Sequence, residues 1–177
     1  MLKSKKLVSM LLAIITVLSI SCVSVFANDT DEIPEGLPDG AYKVYDGIYA
    51  VDNYKFPTLT RSWNEGVNLG PVYPQGVISQ PAALNAFTIS STDKWICLRS
   101  SEYIRVNFAT STTSIFGQSC FDWPKIGTSS STTYFIETGY YNFVPNVRYQ
   151  FQCTSANGNT HSNVILDIAS SSSKIRF

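Results

Sequence analysis

Residues 148–169, RYQFQCTSANGNTHSNVILDIA, alternate between apolar and polar side chains on both sides of Asn157-Gly158. Asn-Gly between two alternating runs is a strong hairpin signal, because a type I′ turn needs positive φ at both central residues. With those two residues as the loop, Phe151 meets Val164, Tyr149 meets Leu166 and Val147 meets Ile168 on one face. On the other face Arg148 meets Asp167, Gln152 meets Asn163 and Thr154 meets His161. Apolar falls on apolar and base on acid, a match that a slip of one residue destroys. The pattern predicts a hairpin here and a sheet protein built around it.

Upstream, Tyr42 to Val51 (YKVYDGIYAV) predicts a second hairpin on Asp46-Gly47, pairing Tyr45 with Ile48 and Val44 with Tyr49; a single strand from Ile48 to Val51 is the alternative. Phe56 to Gln80 is broken by Pro57, Gly66, Gly70, Pro71, Pro74 and Gly76, which predicts short extended pieces and loops. Pro81 to Phe87 fits one helical turn with proline at its first position. Short apolar runs then follow at Phe87–Ser90 and Trp95–Leu98. Tyr103–Ala109 alternates, with Ile104, Val106 and Phe108 on one face. Further strands are expected at Ser114–Gln118, Thr133–Glu137, Tyr140–Phe143 and Lys174–Phe177, with FDWPKIG (121–127) a loop in which Pro124 holds Trp123 extended. Short strands with Gly, Pro, Asn and Ser punctuation and no fixed repeat predict an all-β fold, an antiparallel two-layer β-sandwich of jelly-roll or Ig-like type.

The first 27 residues change the picture of where this sheet works. Lys3, Lys5 and Lys6 precede an apolar run from Leu7 to Ser24, and Val25-Phe26-Ala27 is a small-x-small cleavage signal. The acidic, Pro-rich sequence after Ala27 favours cleavage over retention as an anchor, and Ser19-Ile20-Ser21-Cys22 lacks the leucine of a lipidation motif. The reading is a signal peptide at 1–27, a flexible acidic leader at 28–40 and a single domain at 41–177, exported and not embedded in a membrane. Losing three lysines leaves ten basic against thirteen acidic residues, a net charge of −3. That balance, without a basic cluster, argues against a nucleic-acid partner. Export permits a disulfide; Cys97 and Cys120 are expected to pair, with Cys153 a buried thiol.

Candidate chemistry is sparse. The one histidine, His161, sits in a polar strand beside the turn, and no G-x-S-x-G surrounds a serine. Cys153 shares a face with Phe151 and Tyr149 and reads as core rather than as half of a Cys-His pair. No cofactor motif or metal-ligand spacing is present, so none is expected. Glu102 and Glu137 stand at strand edges beside aromatic residues, and paired carboxylates are what a glycosidase needs. The Ser, Thr and Tyr-rich, charge-poor composition is similar to that of small jelly-roll xylanases, and Glu102-Tyr103-Ile104 resembles part of their nucleophile strand. The fuller motif around that glutamate is absent, and the spacing to Glu137 is short for that family, so none of its residues is carried over.

Aromatic residues are in excess, at 13% of the chain, and most of them must be core. Trp123 in its loop, and whichever of Tyr140 and Tyr141 faces outward, are the expected ligand-binding rings, with Trp123 plugging the end of the core as the alternative. The expectation is a non-catalytic binding domain for a glycan or a cell-surface partner. The rival is a small hydrolase using Glu102 and Glu137, and a third reading is a structural or antagonistic secreted factor.

Overall fold

The computed structural model describes residues 32–54, 63–74, 76–81, 84, 87–127 and 131–170, with the side chains of 63–65 excepted. The expected signal peptide and the expected last strand at 174–177 lie outside the described residues. Nine strands form there: β1 (Tyr42–Tyr45), β2 (Ile48–Asp52), β3 (Trp63–Asn68), β4 (Trp95–Ser100), β5 (Ile104–Ala109), β6 (Lys125–Ile126), β7 (Thr132–Glu137), β8 (Gln150–Ser155) and β9 (Ile165–Ser170). Six make one sheet in the order β1-β2-β7-β4-β9-β3, and three make a second in the order β6-β5-β8. Every pairing is antiparallel.

The period of two decides what lies between the sheets. Ile48 and Ala50 on β2, Ile96 and Leu98 on β4, Tyr134 and Ile136 on β7, and Leu166 and Ile168 on β9 all point inward. They meet Ile104, Val106 and Phe108 on β5, and Phe151 and Cys153 on β8, in one buried cluster. The alternation read for Tyr103–Ala109 is therefore the observed inward face. The other face of the large sheet is apolar at its centre too: Tyr49, Val51, Trp95, Cys97 and Phe135 are buried there. Leu37, Ala41 and Tyr54 pack against them, so the stretch expected to be a free leader contributes Leu37 to the domain.

The Asn157-Gly158 hairpin does not form. β8 pairs with β5, placing Phe151 opposite Phe108, and β9 pairs with β4 and β3 in the other sheet. Residues 156–164 cross from one layer to the other. Gly158 has φ of +82°, but Asn157 is not in the positive region, so the type I′ turn that motivated the hairpin is missing. Instead the Asn157 side chain accepts from the Asn159 N–H at 3.1 Å, an Asx turn. Asp167 faces Arg99, not Arg148: Arg99 donates through Nε and Nη2 to Oδ2 at 2.9 and 2.8 Å. Its other oxygen, Oδ1, accepts the Gly66 N–H at 2.8 Å, at the β-bulge of edge strand β3.

The first hairpin does form on Asp46-Gly47 with Tyr45 opposite Ile48, but a bulge at Val44 shifts the register so that Lys43, not Val44, faces Tyr49. Both edges of the large sheet thus carry a bulge, a feature that discourages strand addition. Of the helical turn expected at 81–87, 82–83 and 85–86 lie outside the described residues; the others are joined by Leu84 N–H to Pro81 O at 3.1 Å and Phe87 N–H to Leu84 O at 3.3 Å. Ser114–Gln118 and Tyr140–Phe143 are turns rather than strands.

The Cys97–Cys120 bridge is also corrected: Cys97, Cys120 and Cys153 are all free thiols. Cys97 lies in the cluster outside the six-stranded sheet, while Cys120 lies in the loop before β6, in the other layer. Strand ends that look close along the chain belong to different sheets, and a disulfide needs Cα atoms within about 7 Å. Burial pushes the Cys153 thiol from 9.0 up to about 12, and pushes Cys97 well above its ordinary value. Thiols held neutral do not react, so iodoacetamide at mildly alkaline pH should leave both unmodified in the folded protein and alkylate them in concentrated guanidinium chloride. Mass spectrometry after each treatment checks this, and rapid alkylation of the native protein would contradict it. Because the folded value of Cys153 is the raised one, its contribution to stability is full below about 9 and is lost as pH climbs toward about 12.

Candidate functional site

Four separate segments converge on one groove of about 340 Å³, lined by Tyr45, Ile115, Phe116, Asp122, Pro124 and Tyr141. Tyr45 ends β1, at a turn that is tight because Gly47 takes φ of +67°. Ile115 and Phe116 come from the turn after β5, fixed by the Ile115 N–H to Phe108 O bond at 2.9 Å and by Phe116 N–H to Asn107 Oδ1 at 3.0 Å. Tyr141 comes from the turn after β7, where Phe143 N–H returns to Thr138 O at 2.9 Å.

The rings are positioned by one another. Phe116 and Tyr141 meet edge to face with centroids 4.7 Å apart, and Tyr140 and Tyr141 do so at 5.0 Å. The Tyr141 hydroxyl donates to the Asp46 carbonyl of the β1–β2 turn. Burial first, and then Tyr140 and Asp46, push its phenol well above the usual value, so it remains a neutral donor. The Tyr140 ring lies directly over Gly47, where an added Cβ would fall 2.5 Å from Tyr140 Cδ1. Tyr45 in the groove wall and Tyr140, which packs on Tyr141, stand 40% and 53% exposed. Asp122 supplies an exposed carboxylate on the same wall.

The expected rings are placed unequally. Tyr140 is the outward member of its pair, although a turn and not strand alternation turns it out. Trp123 is nearly enclosed: it is 2% exposed, and its Nε1 donates to Gly117 O at 2.9 Å. The chain turns just before it, with Asp122 N–H on Ser119 O at 3.1 Å, and Arg105 Nη1 donates to the Phe121 carbonyl at 2.6 Å. That turn sends Phe121 outward and the indole inward. Sequence reasoning missed Tyr45 and Phe116 as groove residues, because the groove is made by segments far apart in the chain and nothing local marks either ring.

Glu102 and Glu137 are not brought together. Glu137 lies opposite Trp95 at the start of β4, and Glu102 follows its other end. A strand of that length separates them by about 20 Å, against roughly 5–10 Å between the carboxyls of a glycosidase. Glu102 instead meets the half-buried His161, Oε2 to Nδ1 at 3.1 Å, and His161 Nε2 lies 3.0 Å from Asn157 Oδ1. Both partners accept, so a ring protonated on both nitrogens makes both bonds and a neutral ring makes one. With Cys153 in the core and both ring nitrogens occupied, no Cys-His pair is assembled. The clasp joins the 156–164 crossover to the β4–β5 turn, a structural use of a histidine that local sequence read as ordinary surface. Comparison with protein-family models, with curated proteins and with solved structures finds no match for this chain.

Proposed function

We propose that this chain is an exported, non-catalytic binding domain whose ligand is a neutral glycan held in the aromatic groove. The observation that carries the reading is the groove itself, with Tyr45, Phe116 and Tyr141 around about 340 Å³ of accessible space and Asp122 at its side. The C–H faces of a sugar ring pack on aromatic side chains, and a carboxylate accepts from sugar hydroxyls. A volume of that size falls at the small end of ligand sites, enough for one or two sugar rings rather than a folded partner. A phosphate or nucleic acid would meet Asp122 and no lining cation. One such platform gives weak affinity, which repeated ligands on a surface raise through effective concentration.

Titration calorimetry with cellohexaose, mannohexaose and N-acetylchitohexaose tests the reading. At least one should bind, and Phe116→Ala should weaken it about tenfold, the worth of one well-packed ring contact. Binding that survives Phe116→Ala and Tyr45→Ala together would remove the groove from the explanation.

A further inference from the structure

Next to the groove, on the other side of the 114–118 turn, lies a second depression of about 180 Å³. Ser114 faces it, while Ile115 and Phe116, the next two residues, face the groove. The two also share the 122–124 segment, Trp123 lining the pocket and Asp122 and Pro124 the groove.

The pocket has a different chemistry. Its wall is the Thr110-Ser111-Thr112-Thr113-Ser114 run with Gln118 and Gln152, and no acidic or basic residue lines it. The run is held as a turn by its own first hydroxyl, Thr110 Oγ1 accepting the Thr112 and Thr113 N–H groups at 3.2 and 3.0 Å. Behind it sits Asn107, fully buried on β5. Its Nδ2 donates to Ser114 Oγ and to Gln152 Oε1, each at 2.8 Å, and its Oδ1 accepts from Phe116 N–H. A buried amide with every group used is a rigid support. It holds Gln152 by its oxygen and leaves the Gln152 amino group to the pocket. Ser111, Thr113 and Gln118 add exposed hydroxyl and amide groups, and Ile78 adds an apolar patch.

We infer that this pocket is a second sugar subsite, taking one uncharged polyhydroxylated ring from the same glycan that lies in the aromatic groove. The inference rests on the groove reading and extends it. An ionic group entering here would lose its water without gaining a counter-charge. An apolar group would leave hydroxyls and amides without partners. A ring bearing several hydroxyls replaces water on every wall. At about 180 Å³ against the groove's 340 Å³, the depression suits a single ring.

The test uses the double variant Gln118→Ala/Thr113→Val, whose side chains are exposed and lie outside the Asn107 network, beside Phe116→Ala. Each is titrated with the same three neutral hexasaccharides and with a sulfated heparin hexasaccharide, and urea midpoints confirm the fold. The double variant should weaken the neutral hexasaccharide about tenfold, the loss of one or two hydrogen bonds. If Phe116→Ala weakens binding and the double variant does not, the pocket is not a subsite while the groove stands. Equal affinity of wild type for the sulfated probe overturns the uncharged class. If no hexasaccharide binds wild type, the groove reading and this inference fall together.

Discussion

Phe108→Ala should lower the free energy of unfolding by about 3–5 kcal/mol, the cost of truncating a phenylalanine in a well-packed core. Phe108 is fully buried and sits opposite Phe151 in the β5–β8 ladder. Its ring meets Phe87, Phe143 and Phe151 at centroid distances of 5.3, 5.4 and 5.5 Å, so its loss opens a cavity bordered by three rings. Those rings come from β8, from the turn after β7 and from the segment before β4 that bridges to Tyr149, which cannot collapse inward without breaking the Tyr149 N–H to Phe87 O bond. A domain of this size has a total stability of about 5–15 kcal/mol, so the variant should shift the urea midpoint by a large fraction of its range. Val144→Ala, at a side chain 54% exposed, is the comparison and should change it by less than about 0.5 kcal/mol. A Phe108→Ala loss as small as that would mean the small sheet is not packed as described.

The hairpin error shows what alternation can and cannot report. Period two correctly picked the inward side chains: Phe151, Val164, Leu166 and Ile168 are all buried in the same cluster. It gave no information on whether two inward faces lie side by side in one sheet or opposite each other across the core. β8 and β9 are the second case, and their apolar residues meet through the core where side-by-side pairing was expected. The Arg148–Asp167 match was arithmetic coincidence, because the arginine that serves Asp167 arrives from β4, far away in sequence. Where the turn chemistry was local and complete, at Asp46-Gly47, the hairpin was legible; where Asn157 spends its side chain on an Asx turn and on His161, it was not.

The site was legible to a smaller degree. One of Tyr140 and Tyr141 was expected to face outward, and Tyr140 is exposed. Which rings share a groove depends on four turns from different parts of the chain, and no local pattern encodes that convergence. Trp123 turns inward and Phe121 outward for a reason of backbone geometry, the turn at 119–122, that residue type alone cannot supply.

Gly127→Ala should be among the most damaging single-methyl additions in the protein, at about 2–5 kcal/mol when the cost of the left-handed backbone is joined to that of overpacking. Gly127 follows β6 with φ of +84°, and a Cβ there would fall 2.1 Å from the Glu102 carbonyl oxygen and 2.9 Å from its carbonyl carbon. Both are backbone atoms, so no side-chain rotation relieves the contact. The β4–β5 turn would have to move, and that turn is held by Ser100 Oγ donating to Glu102 O at 2.8 Å and by the Glu102–His161 contact at 3.1 Å. The strain therefore passes from the edge of the small sheet to the crossover that joins the two layers. Gly158→Ala separates the two causes: φ there is +82°, yet nothing lies within 4 Å of the added methyl. That variant should cost only the left-handed term, about 1 kcal/mol. The difference between the two urea-derived values measures the clash alone. Equal losses would mean that the Glu102 turn yields freely, and that the clasp of Glu102, His161 and Asn157 does not hold the crossover in place.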